Sequence, residues 1–157
     1  MNFESFEDIK VLMDNFDPAA LLPDLSSMAG LVATLTRVAV LIGPIVLLVM
    51  GVLYFFVSPK EANYHFGYRC YFGMGSEEAW RFTQRLAGLV WAALGLVLTI
   101  VMLIVSMGYG SKDMSQVISS GLVSLLLEIG LTLLSCLAIN ITAMVRYDSK
   151  GLRREKL

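Results

Sequence analysis

The sequence predicts an all-α integral membrane protein with three transmembrane helices. Its 157 residues are 57% hydrophobic and only 16% charged, whereas soluble domains usually carry about 25% charged residues. Three apolar runs, at 38–57, 86–107 and 121–145, are each long enough to cross a hydrocarbon core of about 30 Å, which takes roughly 20 helical residues. The composition therefore excludes an ordinary soluble protein.

The apolar runs set the predicted order of segments along the chain. An acidic segment at 1–30 precedes a first transmembrane helix at 31–57 and an aromatic, glycine-rich loop at 58–85. A second transmembrane helix at 86–107, a short external loop at 108–120 and a third transmembrane helix at 121–145 lead to a basic tail at 146–157.

Basic residues predict the orientation, because loops rich in lysine and arginine stay on the cytoplasmic side of a membrane. With three spans, the 58–85 loop and the tail share one side. They hold most of the 12 basic residues, namely Lys60, Arg69, Arg81, Arg85, Arg146, Lys150, Arg153, Arg154 and Lys156, against Lys10, Arg37 and Lys112 elsewhere. We therefore expect an external N-terminus and a cytoplasmic C-terminus. The N-terminus is expected to be kept, because its acidic start does not resemble a cleavable signal peptide.

The acidic N-terminal segment carries apolar residues at helical spacing. Phe3, Phe6, Met13 and Phe16 recur at steps that place them on one face, which predicts a short amphipathic helix lying on the outer membrane interface. A second interpretation of this segment is a docking element for an extracellular peptide.

Small residues share one face of the second span. Ala87, Trp91, Gly95 and Thr99 recur at steps of four, and small residues let helix backbones approach closely inside a bilayer. The pattern predicts helix packing, either within one chain or between the copies of a homo-oligomer. In the first span, Pro44 is expected to kink the helix.

The third span carries a polar stripe centred on Glu128. At 100° per residue, the residues within about 40° of it are Ser124, Thr132, Ser135 and Thr142, whereas Asn140 points elsewhere. An ionised side chain there costs a few kcal/mol, so Glu128 is expected either to stay protonated and hydrogen-bond a neighbouring helix or to pair with a cation such as Arg37. Three roles stay open, namely contact between helices, contact with a partner or peptide, and a proton or ion path.

The 58–85 loop contains many aromatic residues and the start of a helix. Ser76 is a good N-cap, and Glu77 and Glu78 suit the first turn, so a helix is predicted to begin here and continue into the second span. The aromatic side chains before Ser76 need a surface to bury against. The loop is therefore predicted to fold against the cytoplasmic membrane surface or against a partner.

Residues that could carry out catalysis are scarce. His65 lies near Cys70, but no third orienting group is visible. The sequence shows no phosphate-binding loop, zinc signature or nucleic-acid module, and Cys70 and Cys136 are predicted to be unpaired. We expect a protein that is not an enzyme and that uses no cofactor, no metal and no direct nucleic-acid partner.

The loop resembles the signature of the SdpI family, named after the immunity protein against the secreted sporulation-delaying killing peptide of bacilli. The matching landmarks are Asn63, Gly67-Tyr68-Arg69, the "SEEAW" that ends at Trp80, Arg85 and Gly88. The resemblance covers about residues 59–106 and implies a reduced, three-span member in the bacterial cytoplasmic membrane. It also implies a binding surface formed by Asn63, Gly67, Tyr68, Arg69, Trp80 and Arg85.

Three functions follow as hypotheses. The resemblance implies immunity to, or sensing of, an external membrane-active peptide toxin, with a cytoplasmic regulator bound at the loop; in the best-known case the immunity protein holds a transcriptional repressor at the membrane. The first alternative is a small scaffold or accessory subunit that binds a protein partner or anionic membrane lipid. The second is an oligomeric transporter or channel, in which the polar group Glu128, Thr132 and Ser135 would line a path.

Overall fold

The computed structural model describes residues 25–59, 61–62 and 65–154, which form three long helices. These are α1 at Leu25–Phe56, α2 at Glu77–Met107 and α3 at Met114–Arg146, with 3₁₀ turns at Phe72–Met74 and Gly108–Ser111. Each long helix has the length and apolar character needed to cross a membrane. The all-α, three-span prediction is confirmed, whereas the predicted amphipathic helix between Phe3 and Phe16 and the predicted site residue Asn63 lie outside the described residues.

The helices extend beyond the apolar runs that predict them. α2 begins at Glu77, and the N–H of Ala79 donates to Ser76 Oγ at 3.1 Å. The predicted N-cap and the continuation into the second span are therefore confirmed. In the first span, α1 continues through Pro44 without interruption.

Glycines bring α1 and α2 into close backbone contact. A Cβ atom at Gly95 would lie 2.7 Å from Leu48 Cα, and one at Gly88 would lie 2.7 Å from the backbone nitrogen of Phe55. Lipid supplies no hydrophobic drive for helix association, so close approach through small residues is what holds such helices together. The small-residue face of the second span thus packs within one chain.

The buried residues form two apolar clusters, one at each end of the bundle. The cluster near the α2–α3 connection contains Val40, Leu47, Leu98, Met102, Tyr109 and Val117. The cluster beneath the 58–85 loop contains Tyr54, Tyr68, Cys70, Ala87, Ile139 and Ala143. The outward faces of all three helices expose large aliphatic side chains, as a surface in contact with lipid requires.

The chain after α3 folds back as a tight turn and contacts the start of α2. Tyr147 and Arg153 form an antiparallel bridge, and Gly151, at φ +74°, lies between them. Ser76 Oγ donates to the carbonyl oxygen of Gly151 at 2.6 Å. The basic segment and the 58–85 loop therefore lie at the same end of the bundle, as three spans require.

Candidate functional site

A buried glutamine fastens the loop to α2. The backbone N–H of Tyr68 donates to Gln84 Oε1 at 2.7 Å, and Gln84 Nε2 donates to the carbonyl oxygen of Tyr68 at 2.7 Å. Gln84 is fully buried. Its amide satisfies both backbone groups of Tyr68, as a neighbouring peptide group in a sheet would.

Trp80 and Gly67 form the second attachment of the loop. Trp80 is fully buried, and its Nε1 donates to the carbonyl oxygen of Pro59 at 2.9 Å. Gly67 has φ +129°, a backbone conformation that residues other than glycine rarely adopt. A Cβ atom at this position would also lie 2.6 Å from the Trp80 ring, so both backbone conformation and space require glycine.

Tyr68 also connects the loop to α3. Its hydroxyl donates to the carbonyl oxygen of Cys136 at 3.2 Å and accepts from Asn140 Nδ2 at 3.1 Å. Burial raises the pKa of the Tyr68 hydroxyl, and the neighbouring Cys136 raises it further. The hydroxyl therefore stays protonated at physiological pH and keeps both of its roles in these hydrogen bonds.

Trp91 of α2 links this attachment to the polar stripe of α3. Its ring lies 5.5 Å from the ring of Tyr54 and 5.3 Å from that of Tyr68, distances typical of favourable aromatic pairs. Trp91 Nε1 donates to Ser135 Oγ at 3.1 Å, and Ser135 Oγ donates to the carbonyl oxygen of Thr132 at 2.7 Å. Side chains of α1, α2, α3 and the loop thus meet in one contact network.

The structure separates the predicted loop residues into two groups. Tyr68 and Trp80 are buried and the half-buried Gly67 packs against them, whereas Arg69 and Arg85 are exposed. The buried residues therefore shape and hold the loop, and the two arginines lie on its accessible surface.

Sequence reasoning missed Gln84 and Asn140 as members of this network. Gln84 lies one helical turn after Trp80, on the face that also carries Ala87 and Trp91, and this shared face was the signal that could have identified it. Asn140 carried no comparable signal, because its partner lies far away in the sequence.

The polar stripe of α3 is only partly buried. Ser124, Glu128 and Ser135 are buried, and Thr132 is half-buried. Thr142 departs from the expectation that the stripe faces the bundle, because it is exposed and its hydroxyl donates to the carbonyl oxygen of Ala138 within the helix.

Of the two alternatives for Glu128, the pairing with Arg37 is wrong. Arg37 Nη2 donates to the carbonyl oxygen of Ser106 at 3.1 Å. Ser106 lies in the last turn of α2, where carbonyl groups lack helical partners and the helix dipole attracts cations. This helix end therefore takes the guanidinium, and Glu128 Oε1 has no hydrogen-bond partner among the described residues.

Arginine side chains line an open groove at the loop end of the bundle. The groove has a volume of about 750 Å³. Its charged lining consists of Arg81, Arg85 and Arg146 with Glu77 and Glu78, and Phe55, Leu86 and Leu89 form its apolar side. Arg81 pairs with Glu77. The guanidinium of Arg146 lies 4.3 Å from the ring centre of Phe82, a favourable cation–π contact.

Both cysteines are free, as predicted. Cys70 is buried beneath the loop, and Cys136 is half-buried. In the part of the chain that the structure describes, no three His, Cys, Asp or Glu side chains lie close enough to hold a metal ion.

Comparison with protein families identifies the chain. A family model described as the SdpI/YfhL protein family matches residues 60–144, more than half of the sequence. The chain belongs to the SdpI family. The matched range of this SdpI-family chain includes most of the loop, all of α2 and most of α3. Comparisons with curated proteins and with solved structures found no match.

Proposed function

We propose that this SdpI-family membrane protein gives immunity to, or senses, an external membrane-active peptide, and reports through its loop to a cytoplasmic regulator. It acts in this proposal without catalysis, with its N-terminus outside the cell and its C-terminus in the cytoplasm. One observation carries the proposal beyond family membership. Tyr68, in the loop, hydrogen-bonds α3 and packs on Trp91 of α2.

This connection supplies a physical route for signalling across the bilayer. A peptide that changes the packing of α3 against α2 would move the Cys136 carbonyl relative to Trp91, and Tyr68 contacts both. The loop would then shift between two arrangements with different affinities for a regulator, which is what coupling between two sites requires. Arg69 lies beside Tyr68 on the exposed surface, where a regulator can reach it.

The proposal is tested by survival. Cells with and without the gene are challenged with a panel of membrane-active peptide toxins, and the proposal expects protection against at least one of them. Equal survival across a broad panel, with the protein detected in the membrane of the cells that carry the gene, would count against immunity. Crosslinking from the loop, with and without toxin, then tests for a regulator whose binding depends on the peptide.

Tyr68→Phe is expected to weaken protection or signalling several-fold while the protein still reaches the membrane. The substitution removes the hydroxyl that bonds α3 but keeps the ring on Trp91, at a cost of about 1 kcal/mol for a hydrogen bond of this kind. Survival and membrane levels are measured together. Tyr71→Phe is the matched control, because Tyr71 is 74% exposed; equal effects of the two substitutions would contradict the role given to Tyr68.

The arginine groove favours a second function, a membrane scaffold that binds anionic lipid. Arg85 and Arg146 line the groove beside the apolar Phe55 and Leu89, together with Arg81 and the acidic Glu77 and Glu78. Three basic against two acidic side chains leave a net positive charge, which suits a lipid phosphate with its acyl chain alongside. Basic residues at a membrane surface each contribute about 1 kcal/mol to the binding of anionic lipid.

The double substitution Arg85→Gln with Arg146→Gln is expected to reduce the retention of phosphatidylglycerol about tenfold or more, since two such charges contribute about 2 kcal/mol. Native mass spectrometry of protein released from mixed phosphatidylglycerol and phosphatidylcholine membranes measures the retained lipid. Lys112→Gln is the control, because Lys112 is exposed at the other end of the bundle. Unchanged lipid retention in the double variant would remove the support for this second function.

A further inference from the structure

A cavity lies between α1 and α3, inside the membrane-spanning part of the bundle. Its volume is about 410 Å³, within the range of about 300–1,000 Å³ typical of small-molecule sites. Most of its lining is aliphatic or aromatic, with Pro44 and Leu47 from α1, Trp91 from α2, and Leu125 from α3. Glu128 supplies a carboxyl group and Thr132 a hydroxyl group to this largely apolar wall.

Glu128 is the unusual member of the lining. The residue is 6% exposed, and its Oε1 atom has no hydrogen-bond partner among the described residues. Gly43 makes room for the group, since a Cβ atom there would lie 2.8 Å from Glu128 Oε2. Arg37 donates instead to the carbonyl oxygen of Ser106. A buried polar atom without a partner is costly. Glu128 also lines the cavity, so a hydrogen-bond donor in the cavity would relieve this cost once the carboxyl group turns its buried Oε1 atom toward the donor.

The cavity is reached from the side, through the lipid. Three of its lining residues, Val46, Ile129 and Leu133, are 54%, 56% and 65% exposed on the outer surface of the bundle. A neighbouring cavity of about 250 Å³ shares Leu125 and continues between the same two helices. A molecule dissolved in the bilayer can therefore enter without crossing the protein.

We propose that this cavity binds a lipophilic amine, that is, a small apolar molecule with a single amino group directed at Glu128. An amine and a carboxyl group share one proton, and an N–H···O or O–H···N hydrogen bond forms whichever group carries it. The amine therefore satisfies Glu128 without leaving a net charge in the bilayer, while its apolar body fills the aliphatic lining. This site is independent of the proposed peptide immunity.

The test uses the full chain in phosphatidylcholine nanodiscs and radiolabelled dodecylamine as the probe. We expect saturable binding of dodecylamine to the wild type, at least tenfold weaker binding to Glu128→Gln, and little competition by dodecanol, which has the same chain without the amine. Equal dodecylamine binding by the wild type and a folded Glu128→Gln variant would overturn the proposal, as would competition by dodecanol as strong as that by unlabelled dodecylamine.

A second variant covers the case in which Glu128→Gln does not fold. Ile129→Phe fills part of the cavity and keeps the carboxyl group, and it is expected to weaken dodecylamine binding at least tenfold. Ile104→Phe is its control, because Ile104 is 66% exposed on α2 and does not line the cavity. Unchanged binding by Ile129→Phe would overturn the site. The assay contains no toxin, so failure of the immunity proposal in the survival test leaves its result unaffected.

Discussion

Gly95→Ala is expected to lower the free energy of unfolding by about 3 kcal/mol, the upper part of the usual cost of overpacking. The added Cβ atom would lie 2.7 Å from Leu48 Cα and closer still to the Leu48 backbone nitrogen. These atoms belong to the backbone of α1, which cannot move aside as a flexible side chain can. The substitution therefore forces α1 and α2 apart and breaks contacts along their shared face.

Gly130→Ala is the matched control for this prediction. Gly130 lies in α3, and a Cβ atom there would meet no atom within 4 Å. Alanine is favoured over glycine in a helix by about 1 kcal/mol, so the control is expected to be neutral or stabilising. Both variants are unfolded by titrating sodium dodecyl sulfate into mixed micelles. Equal stabilities for the two variants would show that α1 and α2 are not packed as described.

Gln84→Leu is expected to destabilise the loop by about 3 kcal/mol. The change leaves the buried N–H and carbonyl group of Tyr68 without their partner, and each unsatisfied buried group costs about 1–3 kcal/mol. Leucine has a similar size, so the loss comes from the two hydrogen bonds rather than from a cavity. The loop should then separate from α2, which would expose Trp80.

Tryptophan fluorescence and limited proteolysis of the loop measure this effect. Gln116→Leu makes the same chemical change at an exposed position near the start of α3 and is expected to change neither measurement. A Gln84→Leu variant with native fluorescence and native resistance to protease would contradict the role given to the glutamine.

Much of the fold follows from local sequence features. The apolar runs predict three helices because crossing a bilayer requires about 20 apolar residues in a row, and Ser76 marks the start of α2 because N-caps act on the next few residues. The small residues of the second span predict a close helix contact, and Gly88 and Gly95 make it with α1.

The site was harder to predict, because its contacts join distant parts of the chain. Tyr68 and Gln84 are 16 residues apart, and Tyr68 and Asn140 are 72 apart, so no local pattern links them. Arg37 illustrates the same limit. The sequence offered Glu128 as a partner for Arg37 but did not indicate that the fold brings the carbonyl group of Ser106 within hydrogen-bonding distance of it.

The family signature indicates important residues without assigning their roles. Gly67, Tyr68 and Trp80 were expected to form a binding surface. Tyr68 and Trp80 are instead buried and Gly67 is half-buried against Trp80, which explains how they hold the loop. Burial also matters for experiments, because Cys70 is only 7% exposed. A cysteine reagent would therefore react poorly with it on either side of the membrane.

Labelling of single cysteines on intact cells tests most directly the central claim, that the loop is ordered on the cytoplasmic side of a three-span bundle. With Cys70 and Cys136 replaced by alanine, Tyr71→Cys places a thiol at a loop position that is 74% exposed, and Ser111→Cys places one at the exposed opposite end. An impermeant maleimide is predicted to label Ser111→Cys on intact cells and Tyr71→Cys only after permeabilisation. Labelling of Tyr71→Cys on intact cells would contradict the account.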